Sequence, residues 1–369
     1  MWVLIFGVAI IAALAGLLYL VKRVYGLLPQ PNCLAPKYKI NLRYFIAAIT
    51  VIIGVVFFAA VLGSVNAALV VIHLTVFWLI SDLLFFIVKK LTNKRMPGLS
   101  ALVAATTALV YLSVGYILAN NVWATQYTVY TDKNINLRIV MFADAHVGTT
   151  FSGKELEKYV SRMQRYNPDL VVVAGDFVDD DTSRKDMVDA CAALGAFKTT
   201  FGVYYSFGNH DKGYYDNSLR GYTGADLVAE LTANNVAVLQ DEIVDLGDFY
   251  IVGRNDKSEK DRGGDRADIG ALIGGLDKDK LSIVINHQPT DYDAESNAGV
   301  DLVLSGHTHG GQMIPIGLIS DMFGLNDRVY GYERRGTTDF IVTSGIADWA
   351  FKFKIGCASE FVVVDVVGK

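Results

Sequence analysis

Acidic residues are nearly missing from the first third of this sequence. Asp82 is the one Asp or Glu in residues 1–122, which also hold nine Lys or Arg, whereas residues 123–369 carry 37 acidic and 24 basic side chains, a net charge of −13. The two parts therefore suit different solvents, and we predict a domain boundary near residue 123. The acidic second part argues against a nucleic-acid-binding surface, because a phosphate backbone requires a basic face.

Cysteine is also scarce. The three cysteines, Cys33, Cys191 and Cys357, form no C-x-x-C pair and show no regular spacing. A disulfide framework or a thiolate metal site is therefore not expected. Cys191 follows an apolar helical pattern and is predicted to be a small core residue.

Long apolar runs fill the acid-poor part. A helix needs about 20 mostly apolar residues to cross a bilayer. Four segments meet this length: residues 2–21, 44–62, 67–88 and 101–119. Helices of a soluble bundle carry a polar face, which these segments lack. We predict a transmembrane domain of four helices over residues 1–122, in which Asp82 either faces the bundle interior or lies at a helix end.

The basic residues of this domain lie in two of its three loops. The first loop holds Lys22, Arg23, Lys37, Lys39 and Arg43, and the third holds Lys89, Lys90, Lys94 and Arg95. Loops rich in Lys and Arg stay in the cytoplasm, so we predict a multi-pass protein of the cell membrane whose large C-terminal domain is extracytoplasmic. The first span lacks the n-region and cleavage site of a signal peptide, so it is expected to remain uncleaved.

From Leu137 onward, short apolar runs alternate with helical patterns. The runs include "LRIVMF", "DLVVVAG", "GVYYSFG" and "LSIVIN". Continuous apolar strands that alternate with helices are typical of an α/β domain whose sheets are covered on both faces. The later part is richer in strands, so a second, mixed sheet packed on the first is expected.

Histidine is rare, and its distribution is uneven. Five of the six histidines follow predicted strands, together with two Asp and one Asn. These strand-end residues are Asp144, His146, Asp176, Asn209, His210, His287, His307 and His309. Ligands bind beyond the carboxyl ends of strands in α/β sheets, and imidazole and carboxylate groups suit Zn, Mn or Fe. Eight such groups are too many for one tetrahedral site and suit two metal ions about 3.5–4 Å apart.

Five ordered blocks resemble those of the calcineurin-like metallophosphoesterases. They are "DAH" at 144–146, "GDFVDD" at 175–180, "GNHD" at 208–211, "NHQP" at 286–289 and "GHTH" at 306–309. The "GHTHGGQ" extension and the membrane anchor resemble a membrane-anchored bacterial branch of this family. The resemblance covers about residues 137–367 and implies an α/β fold, a four-layer α/β/β/α sandwich, as the catalytic domain within residues 123–369.

The resemblance also implies the role of each site residue. The first metal would be held by Asp144, His146 and His309, and the second by Asn209, His287 and His307. Asp176 would bridge both metals, and His210 would lie beside the substrate phosphate without binding a metal.

The resemblance implies a metal-dependent hydrolase of phosphomonoesters or phosphodiesters that uses two divalent ions (Mn, Zn or Fe). We predict attack by a hydroxide that bridges the metals, with protonated His210 stabilising the transition state or protonating the leaving oxygen. A site tethered outside a membrane favours a lipid or envelope phosphate as substrate. Two alternatives stay open: a metal-binding sensor without turnover, and a transporter or receptor with a regulatory hydrolase domain.

Several neighbouring residues complete the predictions. The run 179–181 is interpreted as solvated turn carboxylates, with a metal role as the less favoured alternative, and Asp211 as a residue that orients a ligand. Segment 313–326 is apolar, and segment 349–356 mixes aromatics with lysines. Both either rest on the bilayer or pack at the sandwich edge or against the membrane helices. Gln312 has no predicted role.

Overall fold

The protein is described by a computed structural model over residues 2–29, 36–93, 96–214, 218, 220–314 and 316–369. Cys33, Lys94 and Arg95, on which some of the predictions rely, lie outside these ranges. The chain divides into two compact units, Met1–Tyr116 with Ala350–Lys352 and Ile117–Trp349 with Phe353–Lys369. The functional division at residue 123 stays a prediction.

Four long helices begin the chain. They are α1 (Trp2–Leu27), α2 (Pro36–Leu62), α3 (Ser64–Thr92) and α4 (Pro97–Asn120). Each contains a stretch long and apolar enough to cross a membrane, so the four predicted apolar helices are present. Helices α1 and α3 extend past the predicted spans because backbone hydrogen bonding continues through Lys22 and Lys89, where the apolar run stops.

Asp82 faces other helices of the first unit. Its carboxylate accepts hydrogen bonds from Tyr19 Oη at 2.6 Å and Ser100 Oγ at 2.8 Å, and it forms an ion pair with Arg23. A carboxylate within apolar helices is costly unless its charge is compensated. Asp82 therefore occupies the first of its two predicted positions, the bundle interior.

The second unit contains two six-stranded mixed sheets. The first has the order β1-β12-β2-β3-β4-β5 and the second β10-β11-β9-β8-β7-β6. The strands are β1 (Trp123–Thr131), β2 (Asn136–Phe142), β3 (Leu170–Val173), β4 (Val203–Ser206), β5 (Val236–Leu239), β6 (Glu242–Asp245), β7 (Phe249–Gly253), β8 (Leu281–Ile285), β9 (Leu302–Ser305), β10 (Gly331–Arg335), β11 (Thr338–Val342) and β12 (Glu360–Gly368). Strands β2 to β5 are parallel, as are β7 to β9.

Helices complete the layers. They are α5 (Leu156–Gln164), α6 (Arg184–Leu194), α7 (Gly224–Ala233), α8 (Ile269–Ile273), α9 (Tyr292–Ala298) and α10 (Ile316–Met322). In β2, Val140 and Phe142 pack with α5 to α7, whereas Ile139 and Met141 pack between the sheets. Alternate residues of a strand point to opposite faces, so β2 is buried on both sides. With α8 and α9 packed on the second sheet, the α/β/β/α order of layers is confirmed.

Candidate metal centre

Two groups of ligand-type side chains meet at the carboxyl ends of the strands. Asp144, His146 and His309 each offer an atom within 4.8 Å of the others, and so do Asp176, His287 and His307. Asp144 follows β2 and Asp176 follows β3, whereas His287 follows β8 and His307 and His309 follow β9. The structure thus assembles residues that are up to 165 positions apart, from Asp144 to His309.

Asp176 belongs to the second group and also approaches the first. Its Oδ2 is 3.1 Å from Nε2 of His287 and 3.9 Å from Nε2 of His146. Asn209, which follows β4, places its Oδ1 3.2 Å from the same His287 nitrogen. This arrangement suits the predicted bridging role of Asp176 and the predicted place of Asn209 beside the second group.

Three histidines are held through Nδ1. His146 Nδ1 is 3.1 Å from Asp179 Oδ2, and His287 Nδ1 is 2.7 Å from the Ala174 carbonyl oxygen. His309 Nδ1 is 3.2 Å from the carbonyl oxygen of Ala347. A ring that donates from Nδ1 keeps the lone pair on Nε2 for a metal.

The backbone of the centre is strained. Positive φ angles occur at five ligand-type residues: Asp144 (55°), His146 (37°), Asp176 (50°), His307 (72°) and His309 (48°). Such conformations cost energy for residues with a Cβ and concentrate at functional sites. These backbone conformations therefore lower the stability of the fold, and they direct the side chains into one crevice.

Glycines let the chain segments approach closely. A Cβ on Gly208 would lie 2.2 Å from Asp176 Oδ1, and a Cβ on Gly306 would lie 2.7 Å from Asp144 Oδ2. Neither separation is compatible with a side chain. The "GNH" and "GHTH" blocks thus need glycine because backbone passes directly against the carboxylates of the other blocks.

Asp211 acts on the loop and not on the crevice. Its carboxylate accepts hydrogen bonds from the backbone N–H groups of Asp176, Phe177, Val178 and Gly208 at 2.6–3.1 Å. Burial and the nearby Asp176 raise the pKa of Asp211 to about 6. These contacts fit the predicted orienting role, since they fix the loop that carries Asp176.

The solvated interpretation of Asp179 is wrong. This carboxylate is buried, with 6% of the residue exposed, and contacts His146. Burial alone would raise its pKa, but His146 outweighs that effect and the pKa of Asp179 is lowered. Asp181, two residues later, is exposed as predicted.

A buried ion pair lies behind His309. Lys354 is fully buried, donates from Nζ to the Ser344 carbonyl oxygen at 2.7 Å, and lies 3.2 Å from Asp348 Oδ1. The same Asp348 oxygen is 3.5 Å from His309 Nδ1. Lys354 therefore packs inside the fold, as does Phe353, and the alternative of bilayer contact is wrong for this end of segment 349–356.

Gln312 connects the histidine loop to that buried segment. Its side-chain Nε2 donates to the Phe353 carbonyl oxygen at 2.8 Å, and its backbone carbonyl oxygen accepts from the Ile355 N–H at 2.9 Å. The residue that had no predicted role thus attaches the loop of His309 to the irregular segment that follows Asp348.

His210 borders the crevice. Its backbone N–H donates to Asp176 Oδ1 at 2.7 Å, and its ring centre is 5.0 Å from those of His146 and Tyr214. Tyr214 Oη in turn accepts a hydrogen bond from Asn209 Nδ2 at 2.6 Å. Tyr214 was not predicted; its hydroxyl turns the Asn209 amide so that Oδ1 faces His287.

The donor set fits divalent metal ions. Among the described residues, His146 Nε2 is buried and has no hydrogen-bond partner, so this nitrogen is available to bind a metal ion. Burial would lower the pKa of His287, but Asp176 raises it well above its ordinary value. Cations in the crevice would take the place of such protons, and imidazole with carboxylate suits Mn, Zn or Fe.

Comparison with known proteins defines the class. Residues 137–311 match the calcineurin-like phosphoesterase family. An uncharacterized metallophosphoesterase of Campylobacter jejuni is 32% identical over 71% of this chain and 69% of its own length. YkuE of Bacillus subtilis, an uncharacterized metallophosphoesterase, is 26% identical over 69% of this chain and 88% of its own length. A transmembrane protein with metallophosphoesterase domain from Danio rerio is 29% identical over 61% and 52%, respectively.

These similarities and the two metal-type groups identify a metallophosphoesterase domain preceded by apolar helices. The chain belongs to the calcineurin-like metallophosphoesterase family. The predicted family is therefore confirmed, and bacterial metallophosphoesterases are among the similar proteins.

Proposed function

We propose that this protein hydrolyses phosphomonoesters or phosphodiesters with two divalent metal ions. The observation that carries the proposal is the position of Asp176 Oδ2, 3.1 Å and 3.9 Å from ring nitrogens of the two groups. Asp144, His146 and His309 would hold one ion and Asn209, His287 and His307 the other, with Asp176 shared. When bound, such ions would supply hydroxide near neutral pH by lowering the pKa of a bound water, and they would neutralise the phosphoryl oxygens.

His210 is proposed to act on the substrate. Burial lowers the pKa of His210 by more than Asp176 raises it, so the ring is neutral at rest near neutral pH. We therefore propose that its N–H donates a hydrogen bond to a phosphoryl or leaving oxygen. The protonated ring expected from the sequence stays a prediction.

We further propose that the domain is extracytoplasmic and acts on a lipid or envelope phosphate. The bias of basic residues in the first and third loops supports this orientation. Asp82, a carboxylate within the apolar helices, is compensated by Arg23, Tyr19 and Ser100, which favours anchoring over transport as the role of the helices.

A reporter fusion tests the orientation. A reporter that is active only in the cytoplasm, fused after Lys369, is expected to give no activity, whereas a fusion after Lys90 is expected to be active. Strong activity of the Lys369 fusion would reverse the proposed orientation and leave the chemistry untouched.

Metal content and turnover together test the chemistry. The full chain in detergent, loaded with Mn, is assayed with an aryl phosphodiester and an aryl phosphomonoester. Asp176→Asn is expected to lose metal and turnover, whereas His210→Ala keeps two ions per chain and loses roughly 100-fold or more in turnover. Asp181→Asn, an exposed acid of the same loop, is the matched control and is expected to be unchanged.

Each outcome of this experiment is informative. Unchanged turnover in Asp176→Asn or His210→Ala would contradict the assigned roles. Two bound ions with no turnover of either ester in the unaltered chain would instead favour the metal-binding sensor.

A further inference from the structure

Large apolar side chains are exposed on and around α10. Among the described residues from Trp123 onward, ten large hydrophobic residues are exposed, and six of these lie within residues 314–323. The six are Ile314, Ile316, Leu318, Ile319, Met322 and Phe323. An apolar patch of this kind is unusual on a soluble surface and marks a site of interaction.

Helix α10 is seated directly on the metal-centre loop. The short 3-10 turn His309–Gly311 contacts α10 through a pair of glycines: a Cβ on Gly311 would lie 2.5 Å from Gly317 Cα. Both glycines are needed for this approach. The exposed apolar helix therefore packs against the turn that carries the metal-type ligand His309.

Strand β1, at the edge of the first sheet, follows α4 in the chain. Strand β1 is parallel to β12, with Trp123 opposite Glu360, and β12 is antiparallel to β2, with Val362 opposite Met141. The start of β1 is thus level with the end of β2, where Asp144 follows. Two residues separate the end of α4 from Trp123, so the chain enters β1 directly after its last apolar helix.

The charge of the surface restricts its partner. Asp321 is the one ionisable residue of α10, and residues 123–369 carry a net charge of −13. Attraction to anionic lipids or to an acidic protein is therefore unfavourable. A tether of two residues keeps a bilayer beside the domain at all times, whereas any protein would have to be recruited.

We propose that the exposed face of α10 rests in the boundary between headgroups and hydrocarbon of the bilayer, beside the metal centre. The contact is made by apolar side chains, as in helices that lie in a membrane interface, and not by charge. It places the crevice at the depth of lipid phosphates. The proposal concerns membrane contact alone, so it does not depend on the proposed hydrolysis.

Site-specific fluorescence quenching tests this contact without reference to activity. In the full chain with Cys33→Ser, Phe323→Cys and Leu318→Cys are labelled separately with an environment-sensitive dye, since Cys191 and Cys357 are buried. The labelled protein is placed in phosphatidylcholine nanodiscs with and without spin-labelled phosphatidylcholine as quencher.

Tyr130→Cys is the matched control. Tyr130 and Phe323 are both aromatic and 68% exposed, but Tyr130 lies toward the opposite end of β1 from Trp123. Labels at 323 and 318 are expected to be quenched at least about twofold more than the label at 130, with no loss in high salt. Use of two labelled positions guards against local damage at either one.

Three results would overturn the proposal. One is equal quenching at 323 and 130. Another is a blue-shifted label at 323 that spin-labelled lipid does not quench, because a protein would then cover the face. The third is quenching that disappears in high salt, because the contact would then be electrostatic.

Discussion

At the scale of single residues, the centre depends on groups to which the family resemblance assigned no role. Asp179 holds His146, and the carbonyl oxygens of Ala174 and Ala347 hold His287 and His309. A ring fixed at Nδ1 cannot rotate its Nε2 away from the crevice. Metal affinity should therefore respond to the residues behind the histidines nearly as strongly as to the histidines themselves.

Asp179→Asn tests this dependence. An amide is a weaker acceptor than a carboxylate, so we expect the affinity of the first metal to fall by roughly 10–100-fold with little change in folding. Calorimetric titration with Mn measures the change. Asp181→Asn is the control, because it removes the same charge without removing the contact to His146. Equal affinities in the two variants would exclude an orienting role for Asp179.

Tyr214→Phe tests the orientation of Asn209. Loss of the hydroxyl removes the hydrogen bond from Asn209 Nδ2 and leaves the amide free to turn its Oδ1 away from His287. We expect the second metal to bind several-fold more weakly, in line with about 1 kcal/mol for one hydrogen bond. Tyr130→Phe, which changes an exposed tyrosine, is the control and should bind the second metal normally. Equal metal affinity of the two variants would contradict the role of the Tyr214 hydroxyl.

At the scale of elements, the apolar pattern predicted most strands, including those buried on both faces, and missed β1, β6 and β10. All residues of β3, β8 and β9 are buried, so they appear as continuous apolar runs. In β1 only Val129 is buried, and the pattern of the segment resembles a loop. Strands β6 and β10 are short outer strands and were missed for the same reason.

The position of a residue relative to the apolar strands also explains which site residues could be predicted. Asp144 or His287 directly follow apolar strands, so topology alone brings them to one edge. Asp348 and Lys354 lie in irregular segments away from the strand ends, and both the contact of Asp348 with His309 and its ion pair with Lys354 depend on tertiary packing. No local pattern distinguishes a buried lysine of this kind from an exposed one.

The close approach of two loops gives a prediction at this scale. Gly208→Ala would place a Cβ 2.2 Å from Asp176 Oδ1, so the "GNH" loop must shift. We expect a loss of roughly 2 kcal/mol or more in unfolding free energy together with weaker metal binding. Gly275→Ala is the control, because open space surrounds its Cβ position; thermal unfolding that is equal in both variants would contradict the proposed steric role.

At the scale of the whole molecule, composition separates an acid-poor part of apolar helices from an acidic α/β part. The family and the layer order follow from residues after Leu137, and similarity to known proteins agrees with both. The sequence alone could not reveal the apolar surface of α10 as exposed, because a buried helix has the same composition. Exposure is a property of the folded domain.

Metal binding should depend on pH in a defined direction. Asp176 raises the pKa of His287 well above its ordinary value in the metal-free centre, so a proton occupies that ring near neutral pH. An ion must displace this proton; affinity therefore increases with pH and levels off above the raised pKa. Calorimetry in buffers of different ionisation enthalpy should detect at least one released proton per chain near pH 7, and pH-independent binding would contradict the assigned role of His287.

The central claim is a pair of metal ions that share Asp176. Anomalous diffraction at the Mn edge, on crystals of the Mn-loaded full chain, tests it most directly. We predict two peaks about 3.5–4 Å apart, one beside Asp144, His146 and His309 and the other beside Asn209, His287 and His307, with Asp176 between them. A single peak, or two peaks that Asp176 does not join, would contradict the account.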